Sequence, residues 1–209
     1  MFESIINYLT NINWLSFFFY NILIALICIG FYFLMKNKSD KCKYYTILTL
    51  LFLGILIHFS KLLIPEYQQL FPQSILEVTL STPCAISALT FPFIFMSKNK
   101  ALKDYMVIFG ILSGVTTLLF PLDIQGKSMF DIDVIRFYVA HSLILLTPLF
   151  TYIFKIHTPT KNWIKNTLII FLIVIVIIVV NNELFNILVL HKYSPEFESL
   201  KKSFLDIFQ

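Results

Sequence analysis

Thr167-Leu-Ile-Ile-Phe-Leu-Ile-Val-Ile-Val-Ile-Ile-Val-Val180 is apolar without a break after its first residue. Extended to Trp163 on one side and about Leu190 on the other, the run exceeds the roughly 20 residues that an α-helix needs to cross a ~30 Å hydrocarbon layer. A stretch of this kind has no place in a soluble domain.

Working back along the chain, five more segments read the same way: Trp14 to Met35, Tyr44 to Ile64, Ile75 to Met96, Tyr105 to Phe120 and Val134 to Phe154. The fourth is the shortest, and Pro83 and Pro92 interrupt the third. The composition agrees. Of the 209 residues 58% are hydrophobic and only 13% charged, against about 25% charged in ordinary soluble domains. The expected fold class is all-α, a polytopic membrane protein built as a bundle of six transmembrane helices. Residues 1–190 form the transmembrane domain. Residues 191–209 mix Phe197, Leu200, Phe204, Leu205, Ile207 and Phe208 with charges, as a short amphipathic tail lying on the membrane would. The first residues carry no basic region and the first apolar run is too long for a signal peptide, so it reads as a permanent anchor.

Orientation follows from the lysines. Lys36, Lys38, Lys41 and Lys43 follow the first span, Lys98, Lys100 and Lys103 the third, and Lys155, Lys161 and Lys165 the fifth. The other two loops place Lys61 and Lys127 among Glu66, Asp123, Asp131 and Asp133. Basic loops stay in the cytoplasm, so both termini are expected outside a multi-pass cell-membrane protein. Trp14, Tyr44, Tyr45, Tyr105, Tyr138 and Trp163 stand at span ends as interfacial anchors.

The net charge of +4 is scattered over short loops, which excludes the dense basic face of a nucleic-acid binder. Cys28, Cys42 and Cys84 show no ligand spacing, so neither a disulfide framework nor a metal or other cofactor is expected. The partner is membrane lipid.

Ionisable residues inside spans are costly and are candidates for function. Here they are His58, Glu77, Arg136, His141 and Glu183, with Cys84 as the notable nucleophile. Counting at 1.5 Å per residue, His58 lies roughly 9 Å, Cys84 roughly 13 Å and His141 roughly 10 Å below the outer ends of their spans. A thiol and two imidazoles thus share a depth, with Glu77, Arg136 and Asp123 nearer the headgroups. Pro83, directly before Cys84, is expected to bend the third helix and open a cavity kept polar by Ser81, Thr82 and Ser87. Each residue also has a plainer role: a small apolar side chain for Cys84, interhelical hydrogen bonds for the histidines, an interfacial pair for Glu77 and Arg136. His157 and His191, in a loop and near a helix end, read as solvated.

The stretch Leu80-Ser-Thr-Pro-Cys84-Ala-Ile-Ser87, then Gly110-Ile-Leu-Ser-Gly114, Phe120-Pro121 and Arg136-Phe-Tyr-Val-Ala-His141, resembles the YwaF-like family of bacterial six-helix membrane proteins. That family is in turn similar to a eukaryotic protein implicated in acyl transfer to ether phospholipids, and more distantly to the androgen-induced lipid hydrolases. The resemblance implies a catalytic Cys84–His141 pair acting on a lipid acyl group, with His58, Glu77, Thr82, Ser87 and Arg136 around the substrate. One departure is Thr82, where many relatives carry a histidine; another is the missing aromatic-rich end of the last span, echoed only by Asn186 and Lys192 to Pro195. Two other classes remain open. One is a non-catalytic membrane scaffold. The other is a small-molecule carrier or substrate-binding subunit, against which Ala25 is followed by Ile29 where a small residue four positions on is wanted.

Overall fold

The computed structural model describes residues 12–69, 79–80, 82–121 and 124–190. Among these residues all regular structure is helical. Six long helices follow one another: α1 (Trp14–Met35), α2 (Asp40–Phe59), α3 (Pro83–Met96), α4 (Lys100–Leu119), α5 (Ile132–Ile153) and α6 (Trp163–Leu190). A 3-10 turn, Ser60–Leu63, and a short helix, Pro65–Gln69, follow α2. All the long helices except α3 are long and apolar enough to cross a membrane.

Their starts are set by polar caps at the junction between loop and apolar run. Asn13 accepts from the Ser16 amide, Ser39 from Cys42, Thr82 from Ala85, Asn99 from Ala101 and Leu102, and Asp131 from Asp133. Each satisfies an amide that the helical ladder leaves over.

The third span differs from its reading in the sequence. α3 has 14 residues and begins at Pro83, directly after its cap Thr82. Pro83 therefore starts the helix rather than bending it; in the first turn its missing N–H and fixed φ cost nothing. Cys84 sits in that first turn. The stretch from Ile75 to Val78, which includes Glu77, lies outside the described residues, as do Ser81, Asp123 and the 191–209 tail.

Burial ranks the helices. Of the most apolar window of each, 67% is buried in α5 and 39% in α4, against 11% in both α1 and α6. α5 touches α1, α2, α3 and α4, and its longest contact is with α4. α1 shows Leu15, Phe18, Ile22, Leu26, Ile29 and Phe33 outward, each more than half exposed. An apolar face of that extent belongs in lipid. Phe91 and Phe95 of α3, Tyr105, Met106 and Val107 of α4 and Phe150 of α5 fill the core.

Candidate functional site

Glycines set how α4 meets its neighbours. A Cβ placed on Gly114 would lie 2.7 Å from Leu145 Cβ and 2.9 Å from its Cα. One placed on Gly110 would overlap Pro148 and come within 2.9 Å of Phe91 Cε2. This is close backbone approach through small residues four apart, as membrane helices use it.

These contacts also fix the register. Gly110 faces Pro148 and Gly114 faces Leu145, so numbers fall on α4 as they rise on α5. One turn further along the same stripe, Thr117 comes level with His141. On α3, Phe91 packs against Gly110; two turns away on each helix, Cys84 Sγ lies 3.9 Å from Thr117 Oγ1. Cys84, Thr117 and His141 therefore fall at about one level along the bundle.

The side chains at that level differ in their partners. Cys84 is half-buried at the start of α3. His141 is half-buried, its ring 4.3 Å from that of Phe137 and its Nδ1 2.9 Å from the Phe137 carbonyl oxygen. A carbonyl only accepts, so Nδ1 carries the proton and Nε2 the lone pair of the neutral ring.

The remaining expected site residues are placed around this centre. Ser87, one turn inward from Cys84, is fully buried; its hydroxyl faces that of Tyr105 without either reaching a hydrogen bond. Thr82 spends its hydroxyl on capping α3. His58 lies half-buried in the last turn of α2, on the stripe of Leu51 and Gly54. Gly54 faces Leu143, which is two residues from His141 and so points to the other side of α5. Ala88, one turn along α3 from Cys84, lines one crevice with Gly54 and Leu143, so His58 and Cys84 each stand one turn beyond that meeting point, where α2 finishes and α3 begins. Between these helices a shallow open crevice, with room for about one water, is lined by Leu50, Gly54, Ala88, Phe91, Leu143 and Thr147.

Arg136 faces Asp133, not an open pocket. Its Nη2 and Nε lie 2.6 and 3.1 Å from Asp133 Oδ1, while Lys127 Nζ bonds the other oxygen. Asp133 is 2% exposed, so this is a carboxylate buried between two cations. In the loop, burial alone would push Lys127 down. The hydrogen bond and charge of Asp133 outweigh it and hold the ammonium above its ordinary value.

A second polar cluster, at the lysine-rich end, escaped the sequence reading. Asp104 in the first turns of α4 is fully buried. It accepts from His157 Nε2 at 2.8 Å, the Thr160 amide at 3.0 Å, Thr160 Oγ1 at 2.5 Å and Asn166 Nδ2 at 2.8 Å. His157 is thus 8% exposed and bonded, not solvated. The cluster ties the α5–α6 loop and the start of α6 to α4. The sequence signal was faint: an acidic residue in the opening turns of an apolar helix, and a His-Thr-Pro-Thr loop able to supply donors. Among the described residues no three His, Cys, Asp or Glu side chains converge as metal ligands would.

Compared with known proteins, residues 8–200 match the family model described as the TMEM164 family. No curated protein and no solved structure matches the chain.

Proposed function

The chain belongs to the TMEM164 family, and on that premise we propose that this multi-pass membrane protein transfers or hydrolyses a lipid acyl group, with Cys84 as nucleophile and His141 as its base. The observation that supports the reading is the register: Thr117 touches Cys84, and the stripe of α5 that faces α4 brings His141 to the same level. The resemblance to YwaF-like proteins and to ether-phospholipid acyl transfer supports the choice of chemistry.

In this account His141 Nε2 takes the Cys84 proton. The thiolate attacks the ester carbonyl of a lipid, a C–S bond forms, and the C–O bond breaks. The departing alkoxide takes the proton back from Nε2. A second lipid alcohol, or water, then gives its proton to Nε2 and attacks the thioester, and the sulfur leaves as the thiol. The positive end of α3 lies at the sulfur and favours the negative charge that develops there. The Thr117 hydroxyl holds the sulfur on this face.

Residues 1–190 act as the membrane domain and 191–209 as a surface tail. The lysine-rich ends of the helices lie in the cytoplasm, which places both termini and the thiol on the outer side of the cell membrane.

A scaffold reading has one observation in its favour: the Asp104 cluster uses buried polar groups purely to fasten helices. The two are separated by supplying reconstituted protein with a phospholipid bearing an alkyne-tagged acyl chain and a lysophospholipid acceptor. The enzyme reading expects tag transfer that falls at least about 100-fold in Cys84→Ala and in His141→Ala. Transfer at the wild-type rate in Cys84→Ala refutes it, and absence of transfer in the wild type supports the scaffold.

A further inference from the structure

Several hydroxyls inside the bundle are taken up by their own helices. Thr90, Ser113, Thr116, Thr147 and Thr151 each donate to a carbonyl three or four residues back, the usual arrangement for such side chains in an apolar helix. Ser87 does not. It is fully buried, yet its Oγ makes no hydrogen bond. Tyr105, 1% exposed on α4, is in the same condition, its hydroxyl turned to that of Ser87 without a bond between them. Leaving a buried hydroxyl unpaired is destabilising, and alanine and phenylalanine would fill the two places without that penalty.

Both hydroxyls lie beside the nucleophile. Ser87 follows Cys84 by three residues on α3, so the two side chains stand one above the other with Cβ atoms about 5–6 Å apart. From there a staggered rotation of the serine brings its Oγ within reach of the sulfur. On α4 the Tyr105 ring stacks on that of Phe109 at 5.0 Å, one turn toward the Thr117 end, and meets the Phe91 ring of α3 edge-on at 6.3 Å. The Tyr105 ring therefore lies along α4 toward Ser87, and its hydroxyl comes within electrostatic range of Cys84. The titratable groups that α4, α5 and α2 bring around this part of α3 are Tyr105, His141 and His58, while α6 is apolar from Leu168 to Val180.

We propose that Ser87 donates a hydrogen bond to the thiolate of Cys84, and that Tyr105, donating to Ser87, is the positioning residue behind it. A neutral thiol accepts hydrogen bonds only weakly, which leaves both hydroxyls unclaimed at rest; a thiolate accepts strongly. Each hydroxyl has one proton to give and lone pairs to receive. The sequence Tyr105 to Ser87 to sulfur therefore pairs both donors at once, with the thiol proton itself on His141 Nε2. Donors set in advance where charge develops favour its formation. The role rests on the reading of Cys84 as a nucleophile; the ionised sulfur, not the lipid, is what the two hydroxyls serve.

The test uses the full chain in maltoside micelles with no acyl donor, alkylated by iodoacetamide at pH 7.5 and at pH 10. Peptide mass mapping reads the rate at Cys84 apart from Cys28 and Cys42. At pH 7.5 Ser87→Ala is expected to slow alkylation of Cys84 about ten-fold and Tyr105→Phe about three-fold. Both deficits should shrink to within about two-fold at pH 10, where hydroxide ionises the thiol unaided. Since the hydroxyls are unpaired at rest, neither variant should unfold more readily than wild type. Wild-type rates at pH 7.5 overturn the assignment, and so does a slowing of equal size at both pH values, which marks altered access. A lowered unfolding midpoint in both variants overturns it too, because the hydroxyls would then be fastening α3 to α4. Alkylation that behaves as expected in a protein that transfers no acyl group leaves this role standing and removes the lipid chemistry.

Discussion

Replacing Gly114 with alanine adds one methyl group where the backbone of α4 meets that of α5. The new Cβ would stand 2.7 Å from Leu145 Cβ and 2.9 Å from Leu145 Cα, whereas ordinary contact begins at 3.4 Å. The Cα cannot swing aside as the tip of a side chain could, so the helices must part by about 0.7 Å. A gap of that size forfeits a quarter to a half of each affected contact, and overpacking of this kind costs about 1–3 kcal/mol. Gly30 supplies the control: nothing lies within 4 Å of a Cβ built there, so alanine should stabilise by roughly 0.5–1 kcal/mol through backbone entropy alone. The assay is unfolding of the purified variants in mixed micelles of maltoside and dodecyl sulfate. Gly114→Ala should unfold at lower dodecyl sulfate than wild type and Gly30→Ala at higher. Equal midpoints for the two variants would refute the close α4–α5 approach, and the register drawn from it.

Asp104→Ala should destabilise by about 2–4 kcal/mol, because it strands the His157, Thr160 and Asn166 donors in a buried place; cleavage by added protease in the 154–162 loop should rise with it, and an unchanged cleavage rate would contradict the fastening role. Lys127 is held above its ordinary pKa of 10.5 in the folded chain, so its contribution is complete below that value and is lost as pH climbs through the folded one. Unfolding midpoints between pH 8 and 12 should therefore fall more steeply at the alkaline end in wild type than in Lys127→Gln, and parallel curves would show that the ion pair contributes nothing.

Much of the fold could be read from hydropathy, because long apolar runs separated by lysine loops leave a chain few options. The third span was harder. Pro83 can break a helix or begin one, and only Thr82 as a hydrogen-bonded cap decides between them. Depth was legible by counting residues, so Cys84 and His141 could be expected at one level. Which side of α5 each residue faces was not, since that depends on the Gly110 and Gly114 contacts with Pro148 and Leu145. The Gly-x-x-x-Gly spacing is visible in the sequence; its partner helix is not. His157 was misread because its partner Asp104 lies 53 residues away, and no local period connects a loop histidine with the start of another helix. Arg136 and Asp133, three apart on one helix, form the kind of pair that spacing does suggest.

The account turns on whether the sulfur of Cys84 becomes acylated with the help of His141. Intact-mass analysis of the detergent-purified protein after exposure to an alkyne-tagged acyl donor measures that directly. One adduct of acyl mass is predicted on wild type, labile to hydroxylamine as a thioester is, absent in Cys84→Ala and strongly reduced in His141→Ala. An adduct that persists in Cys84→Ala, or one unaffected by the loss of His141, would contradict it.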